Sequence, residues 1–294
     1  MNNQTYESIL HPSDAADAAE YAAAYNGSSR FARYFQSRLY VVSEQLRARR
    51  SGDLLDVGCG PGMLIRYLVD SRPGDFKITA LDHSAATVNE AARRLQDTNV
   101  EIRIGRAECL PFPDASFDIV LALGVLEYTD LPVAIREIAR VTRPDGLVVA
   151  TMLNPLNPYR LVEWGCYWPA LRLLGRCEQL LRVPTKSRHG APRSGIRACS
   201  EGRFSALLRA ASLEPTDVVY YDLTPLVPPL DRVARRLNRR WLNHLEITVT
   251  RGAGRWMGTA YLIAARRSSR GTQGVESWPD TSAKRESLST STHW

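Results

Sequence analysis

From residue 53 onward the chain alternates short apolar runs with amphipathic stretches, and this rhythm limits the fold more than any other feature. The runs "DLLDVG" (53–58), "KITALD" (77–82), "VEIRIG" (100–105), "FDIVLALGVL" (117–126) and "GLVVATML" (146–153) are expected as strands. Between them, residues 63–70, the segment "AATVNEAARRLQ" capped by Ser84, and residues 131–142, stopped by Pro144, are expected as helices. Strands that are apolar on both faces and alternate with helices imply a parallel sheet covered on both sides, an α/β doubly wound architecture. A helix over 201–212, a strand near "TDVVYYDL" and a last strand "TAYLIAARR" (259–267) complete the sheet. Ahead of the alternation, Phe31, Tyr34, Phe35, Leu39, Val42 and Leu46 recur every three or four residues and mark a helix over about 29–48.

Composition then excludes several classes. The chain has 294 residues, 44% hydrophobic and 23% charged, which is globular. It lacks a run of about 18 apolar residues that would span a bilayer. Its N-terminal segment has neither the basic start nor the apolar stretch of a secretory signal. The five cysteines (59, 109, 166, 177 and 199) are odd in number and form no CxxC pair. That pattern speaks against a disulfide framework or a zinc site, so no metal is expected and the expected compartment is the cytoplasm. Charge is uneven: residues 1–154 hold 16 basic and 20 acidic side chains, residues 155–245 hold 15 and 7.

The strand "DLLDVG" runs into "CGPG", which places glycines at 58, 60 and 62. Glycines this dense cost conformational entropy and bury no side chain, so the loop gains from being bare. The usual gain is close approach of backbone to a ligand at the carboxyl end of a parallel strand. A dinucleotide fingerprint would need glycine at 63, where the chain has Met63.

The pattern Asp56-x-Gly58-Cys59-Gly60-x-Gly62 resembles the first motif of the class I S-adenosylmethionine-dependent methyltransferases. The segment "GRAECLPFPDASFDIVLALGVLEYTDLPVAIREIARVTRPDGLVVATMLNP" is similar over its length to the ubiquinone/menaquinone-biosynthesis type of that family. The resemblance covers about 50–154 and the final strand. It implies a Rossmann-like, mostly parallel seven-stranded sheet of order 3-2-1-4-5-7-6, with the last strand antiparallel and helical cap insertions. S-adenosyl-L-methionine is the implied cofactor. Asp56, Gly58, Cys59, Gly60 and Gly62 would lie against its methionine and ribose portions, and Asp82, followed by His83, would accept the ribose hydroxyls. Ala107 and Glu108 would meet the adenine, and Leu123 and Gly124 the methionine end. Arg106 stands where the family often has an acidic residue, which passes the adenine contact to backbone or to Glu108.

On this reading residues 1–50 are an N-terminal helical cap, and 51–267 the methyltransferase domain with insertions at 154–198 and 224–257. Residues 268–294, rich in Ser and Thr, are a disordered tail. Methyl transfer from a sulfonium is an in-line displacement, so the enzyme mainly aligns the partners and excludes water. An acceptor oxygen of high pKa also needs a base. His189, His244 and Tyr128 are the weak candidates; Glu127-Tyr128 stands where relatives commonly carry Glu-His. The insertions carry "YRLVEWGCYWPALRLLGRCEQLL" and the basic amphipathic stretch 230–245. These suit a small apolar acceptor (lipid, quinone-like or polyketide-like), with O-methylation slightly favoured, and a peripheral membrane contact at the inner face. The aromatics lie apart from the arginines, which disfavours nucleic acid. Two alternatives stay open: a non-catalytic S-adenosylmethionine-binding regulatory subunit, and an NAD(P)-dependent oxidoreductase.

Overall fold

The computed structural model describes Ala23 and residues 30–181, 197–223 and 249–269. Seven strands form one sheet: β1 (Gly52–Val57), β2 (Phe76–Asp82), β3 (Glu101–Ile104), β4 (Phe117–Ala122), β5 (Thr142–Leu153), β6 (Leu213–Leu223) and β7 (Gly258–Arg267). Their order is β3-β2-β1-β4-β5-β7-β6. The first five run parallel, and β7 is antiparallel to both β5 and β6. This is the order expected from the resemblance.

The helices are α1 (Arg30–Leu46), α2 (Met63–Ser71), α3 (Ala85–Arg94), α4 (Leu131–Val141), α5 (Pro158–Val162), α6 (Trp168–Leu180) and α7 (Glu201–Ala210). Strand alternation divides the core into two layers. On one face Leu55, Val57, Val120, Ala122, Val148, Tyr261 and Ile263 pack under α4 and α7, which contribute Ile135, Ile138, Phe204 and Leu208. On the other, Leu54, Leu121, Val149, Tyr221 and Leu262 pack under α1 and α2, through Val41, Val42, Leu46, Ile65 and Leu68. Helix α1 is therefore part of the core layer as well as a cover at the site, because its apolar stripe faces β1, β4 and β6.

Two boundaries differ from the expectation. Strand β4 ends at Ala122 rather than at 126. Gly124 takes φ +70° and donates its N–H to Thr151 Oγ1 at 2.8 Å, and Leu126–Tyr128 form a 3₁₀ turn. Pro144 does not stop α4: the helix ends at Val141, β5 starts at Thr142, and Pro144 lies inside a bulge where the register jumps from Phe117↔Thr142 to Ile119↔Leu147. A proline is tolerated there because the bulged residues give up ladder hydrogen bonds.

Residues 158–180 of the aromatic-rich insertion are helical, but they are not packed on the core. Neither α5 nor α6 has a buried residue, and a π-helical turn at Glu163–Tyr167 joins them. Its base is pinned by two asparagines. Asn154 Nδ2 donates to the Gly258 carbonyl at 2.9 Å, and Asn157 Nδ2 to the Met257 carbonyl at 2.6 Å. The basic stretch 230–245, the start of the chain to residue 22 and the tail from 270 lie outside the described residues. Among the described residues, no helix is long and apolar enough to cross a membrane.

Candidate functional site

A cavity of about 340 Å³ opens at the carboxyl ends of β1, β2 and β4, where the strand order reverses direction. The glycine loop forms its floor. The Gly58 and Cys59 N–H groups both donate to the Leu81 carbonyl, at 2.7 and 3.0 Å, folding the loop back over the end of β2. Gly58 and Gly60 have φ of +75° and +55°, a left-handed backbone that glycine adopts without strain. A Cβ at Gly58 would lie 2.6 Å from Val125 Cβ.

Asp82 is the hub of this wall. It is buried, and its Oδ2 accepts from the Gly60 N–H and its Oδ1 from the Ser84 N–H, each at 3.0 Å. His83 Nδ1 lies 3.3 Å from Asp82 Oδ1, and that bond raises the imidazole above its ordinary pKa although its side chain is mostly exposed. Asp56, at the end of β1, is 2% exposed; burial pushes its carboxyl up to about 7, against the pull of the Arg38 guanidinium. Burial, with Asp56 and Asp82 nearby, also pushes the Cys59 thiol well up, so this sulfur is a packed side chain and not a nucleophile.

The β3 side is held by charge pairs from α4. Arg140 donates to the Leu110 and Phe112 carbonyls at 2.9 and 2.8 Å, while Glu137 Oε2 accepts from the Leu110 N–H at 2.9 Å. These bonds fix the loop that presents Ala107 and Glu108 to the cavity. Arg106 turns to solvent and sits 3.5 Å from Glu108, whose other oxygen accepts from the Asp130 N–H at 3.2 Å. Burial acts to raise Glu108, but these N–H groups and Arg106 outweigh it and leave its pKa low.

A sequence profile described as "Methyltransferase domain" matches residues 55–150, the span that supplies every lining residue of the cavity except Arg38. The chain carries a class I S-adenosylmethionine-dependent methyltransferase domain. The chain is 34% identical over 134 residues to the ubiquinone/menaquinone biosynthesis C-methyltransferase of Hahella chejuensis, covering 43% of this chain and 54% of that protein. It is 38% identical over 115 residues to the malonyl-[acyl-carrier protein] O-methyltransferase of Enterobacter lignolyticus, covering 38% and 43%. The chain thus spans about half the length of these curated relatives. In fold it is similar to an S-adenosylmethionine-dependent methyltransferase from Thermotoga maritima, with a TM-score of 0.57 at 18% identity over 86% of this chain and 97% of that one.

The methyltransferase domain implies S-adenosylmethionine, and the cavity fits it. Two buried carboxyl groups, Asp82 and Asp56, and the bare glycine backbone border the cavity, chemistry suited to a ligand that carries a diol and an ammonium. The phosphate-clamping glycine of the dinucleotide fingerprint is replaced by Met63, so the oxidoreductase alternative has no support in this loop. Of the eleven cofactor residues named from the sequence, ten line the cavity and Gly62 does not. Gly62 caps α2 with φ +77°, and a Cβ there would press on Leu95 and Ala91, so it serves helix packing. Tyr128 lines the cavity too, whereas His189 and His244 lie outside the described residues.

Lining residues not singled out from the sequence include Arg38, Leu64, Thr87 and Thr129. For Arg38 a signal existed. It follows Phe35 by three residues and precedes Val42 by four, so it puts a charge on the apolar stripe of α1. Behind the wall, Glu127 is 2% exposed, and burial pushes its carboxyl up to about 7. Its Oε2 has no hydrogen-bond partner.

Proposed function

We propose that this chain transfers the methyl group of S-adenosylmethionine to an oxygen of a small, largely apolar acceptor of the lipid, quinone-like or polyketide-like class. The bound cofactor supplies an electrophilic methyl on a sulfonium. The chain's part is to align the acceptor, keep water out and take up a proton. Asp82 and the glycine backbone orient the cofactor. Glu127, dry and with one oxygen uncommitted, is the group nearest in character to a neutral-pH base on that side of the cavity.

One observation carries the acceptor class. The segment 156–180, which contains α5 and α6, rises from the carboxyl edge of the sheet with apolar side chains in solvent, including Leu156 and Leu173 at 62% exposure and Leu180 at 83%. Arg160, Arg172 and Arg176 share the same segment, with Arg160 stacked 5.3 Å over the Trp164 ring. Exposed leucine and tryptophan beside arginine suit contact with a lipid acceptor or with the anionic inner face of a membrane. The acyl substrate in the name of one relative points the same way.

The test is incubation with methyl-labelled S-adenosylmethionine and a panel of fatty acids, acyl thioesters, quinols and phenols, followed by organic extraction. Label in the organic phase, lost in the Asp82→Ala variant, is the expected result. Label that transfers only to polar amines would overturn the acceptor class. Tight S-adenosylhomocysteine binding with no transfer to any acceptor would instead favour the regulatory-subunit reading.

A further inference from the structure

Glu127 belongs to the 3₁₀ turn Leu126–Tyr128 and is flanked by Val125 and Tyr128, which line the cavity. Its carbonyl accepts from the Arg197 N–H at 2.9 Å, which fixes the turn. Its carboxyl lies close enough to Tyr34 of α1, Tyr221 of β6 and Tyr261 of β7 to act on all three hydroxyls. Among the described residues Glu127 Oε2 meets no donor, although the residue is 2% exposed. A buried acceptor atom in that state is costly to the fold and favourable for a ligand that brings a donor.

A second acid acts on the same place. Asp222, near the carboxyl end of β6, is buried and accepts from the Thr259 hydroxyl. Both acids bear on the Tyr34 hydroxyl, which pairs with that of Tyr221 at 3.3 Å. Burial pushes Tyr34 up to about 12, against Arg38 and with Glu127 and Asp222 adding to it, so this hydroxyl stays protonated. Arg38 and Arg160 temper Glu127, but each guanidinium also lies over a ring, Arg38 on Phe35 at 4.8 Å and Arg160 on Trp164 at 5.3 Å. Two acids and neutral hydroxyls therefore dominate this end, and both arginines are already engaged.

That chemistry separates two kinds of oxygen acceptor. A carboxylate arrives ionised and needs no base, and a further negative charge beside buried acids is repelled where the dielectric is low. A neutral hydroxyl brings the donor that Glu127 Oε2 lacks, and a proton that has to leave. We infer that the acceptor presents a phenolic or enolic hydroxyl on its apolar body, bonded to Glu127 Oε2, and that free carboxylic acids are excluded. This rests on the oxygen-transfer reading above. In the step, the acceptor oxygen gains the methyl carbon as the methyl–sulfur bond breaks onto sulfur, and the hydroxyl proton passes to the Glu127 carboxylate.

The experiment uses three probes that share an octyl tail and differ in the head: para-octylphenol, para-octylbenzoic acid and para-octylaniline. Each is titrated by calorimetry into the full chain saturated with S-adenosylhomocysteine, and each is incubated with methyl-labelled S-adenosylmethionine. Wild type should bind the phenol about tenfold or more tightly than the benzoate, and the phenol alone should be methylated. In Glu127→Gln, transfer to the phenol should fall about 100-fold or more, while S-adenosylhomocysteine affinity stays within about threefold of wild type. A nitro group beside the hydroxyl leaves the same phenol ionised at pH 8 without a base. Transfer to that probe should fall less than about tenfold in the variant, which a merely structural role of Glu127 would not produce. Wild type that binds or methylates the benzoate as well as the phenol overturns the inference and leaves the oxygen-transfer reading standing. A folded Glu127→Gln variant that loses both phenols equally overturns it too. Transfer to the aniline alone, or to none of the three, overturns that reading together with the inference.

Discussion

Asp56 and Glu127 illustrate, at the scale of single residues, what a dry site demands of a carboxyl group. Burial raises each to about 7 in the folded chain, above the ordinary carboxylate range that holds when unfolded. Between about pH 4 and 7 the folded state therefore binds more protons than the unfolded one, and stability falls as pH rises through that window. Above it, each charged carboxylate costs on the order of 3 kcal/mol. Asp56→Asn and Glu127→Gln should accordingly stabilise the apoprotein at pH 8 and gain nothing near pH 4. Urea denaturation at the two pH values reads this directly, and equal gains at both would refute it. Asp82→Ala acts differently: it should weaken S-adenosylmethionine binding by about 1.5–3 kcal/mol, measured by calorimetry, by removing the acceptor for a diol. The same carboxylate also ties Gly60 to Ser84, so the loop should loosen as well.

Elements matter next, because the site's walls are held from behind. Helix α4 does not touch the cavity, yet Arg140 and Glu137 fasten the loop that presents Ala107 and Glu108. Arg140→Ala should cost about 1–2 kcal/mol of stability through orphaned carbonyls. It should raise the dissociation constant for S-adenosylhomocysteine severalfold, with thermal melting and calorimetry as the two readouts. A variant that lost stability but bound normally would show that this loop orders on binding alone. Helix α6 is the opposite case, an element with no buried residue and several leucines in solvent. Leu173→Glu with Leu180→Glu should leave the melting temperature unchanged, since neither side chain packs on the core. If the segment meets lipid, the double variant should lose co-sedimentation with anionic vesicles at physiological salt. Wild type remaining in the supernatant even at low salt would remove the lipid reading of α6.

For the whole molecule, the cofactor site is built from the ends of β1, β2 and β4, the β3 loop and α1, so binding couples parts of both core layers. Ligand at about 100 times its dissociation constant should stabilise the fold by about 2.7 kcal/mol. In a domain of this size that is a rise of about 5–10 °C in melting temperature. S-adenosylhomocysteine should produce that shift in differential scanning fluorimetry, and NADH should not.

Sequence alone determined the layered architecture, because strands apolar on both faces have no other stable arrangement than burial between helices. It also determined the glycine loop that borders the cavity, since glycine spacing and the acids at 56 and 82 are local signals read at the ends of two strands. The end of β4 was less legible: the apolar run continues to Leu126, but Gly124 leaves the sheet because Thr151, on the neighbouring strand, captures its N–H. Gly62 was read as a cofactor contact because it continues the spacing, while its surroundings, Ala91 and Leu95, lie thirty residues away on and after α3. Arg38 lies far from any motif, on α1, and only the packing of α1 against the carboxyl edge brings the guanidinium to bear on Glu127 and on Asp56. Backbone-approach sites are written locally in glycines. A shared charge among buried acids is a property of three distant segments, and it exists only once the hydrophobic stripe of α1 has docked.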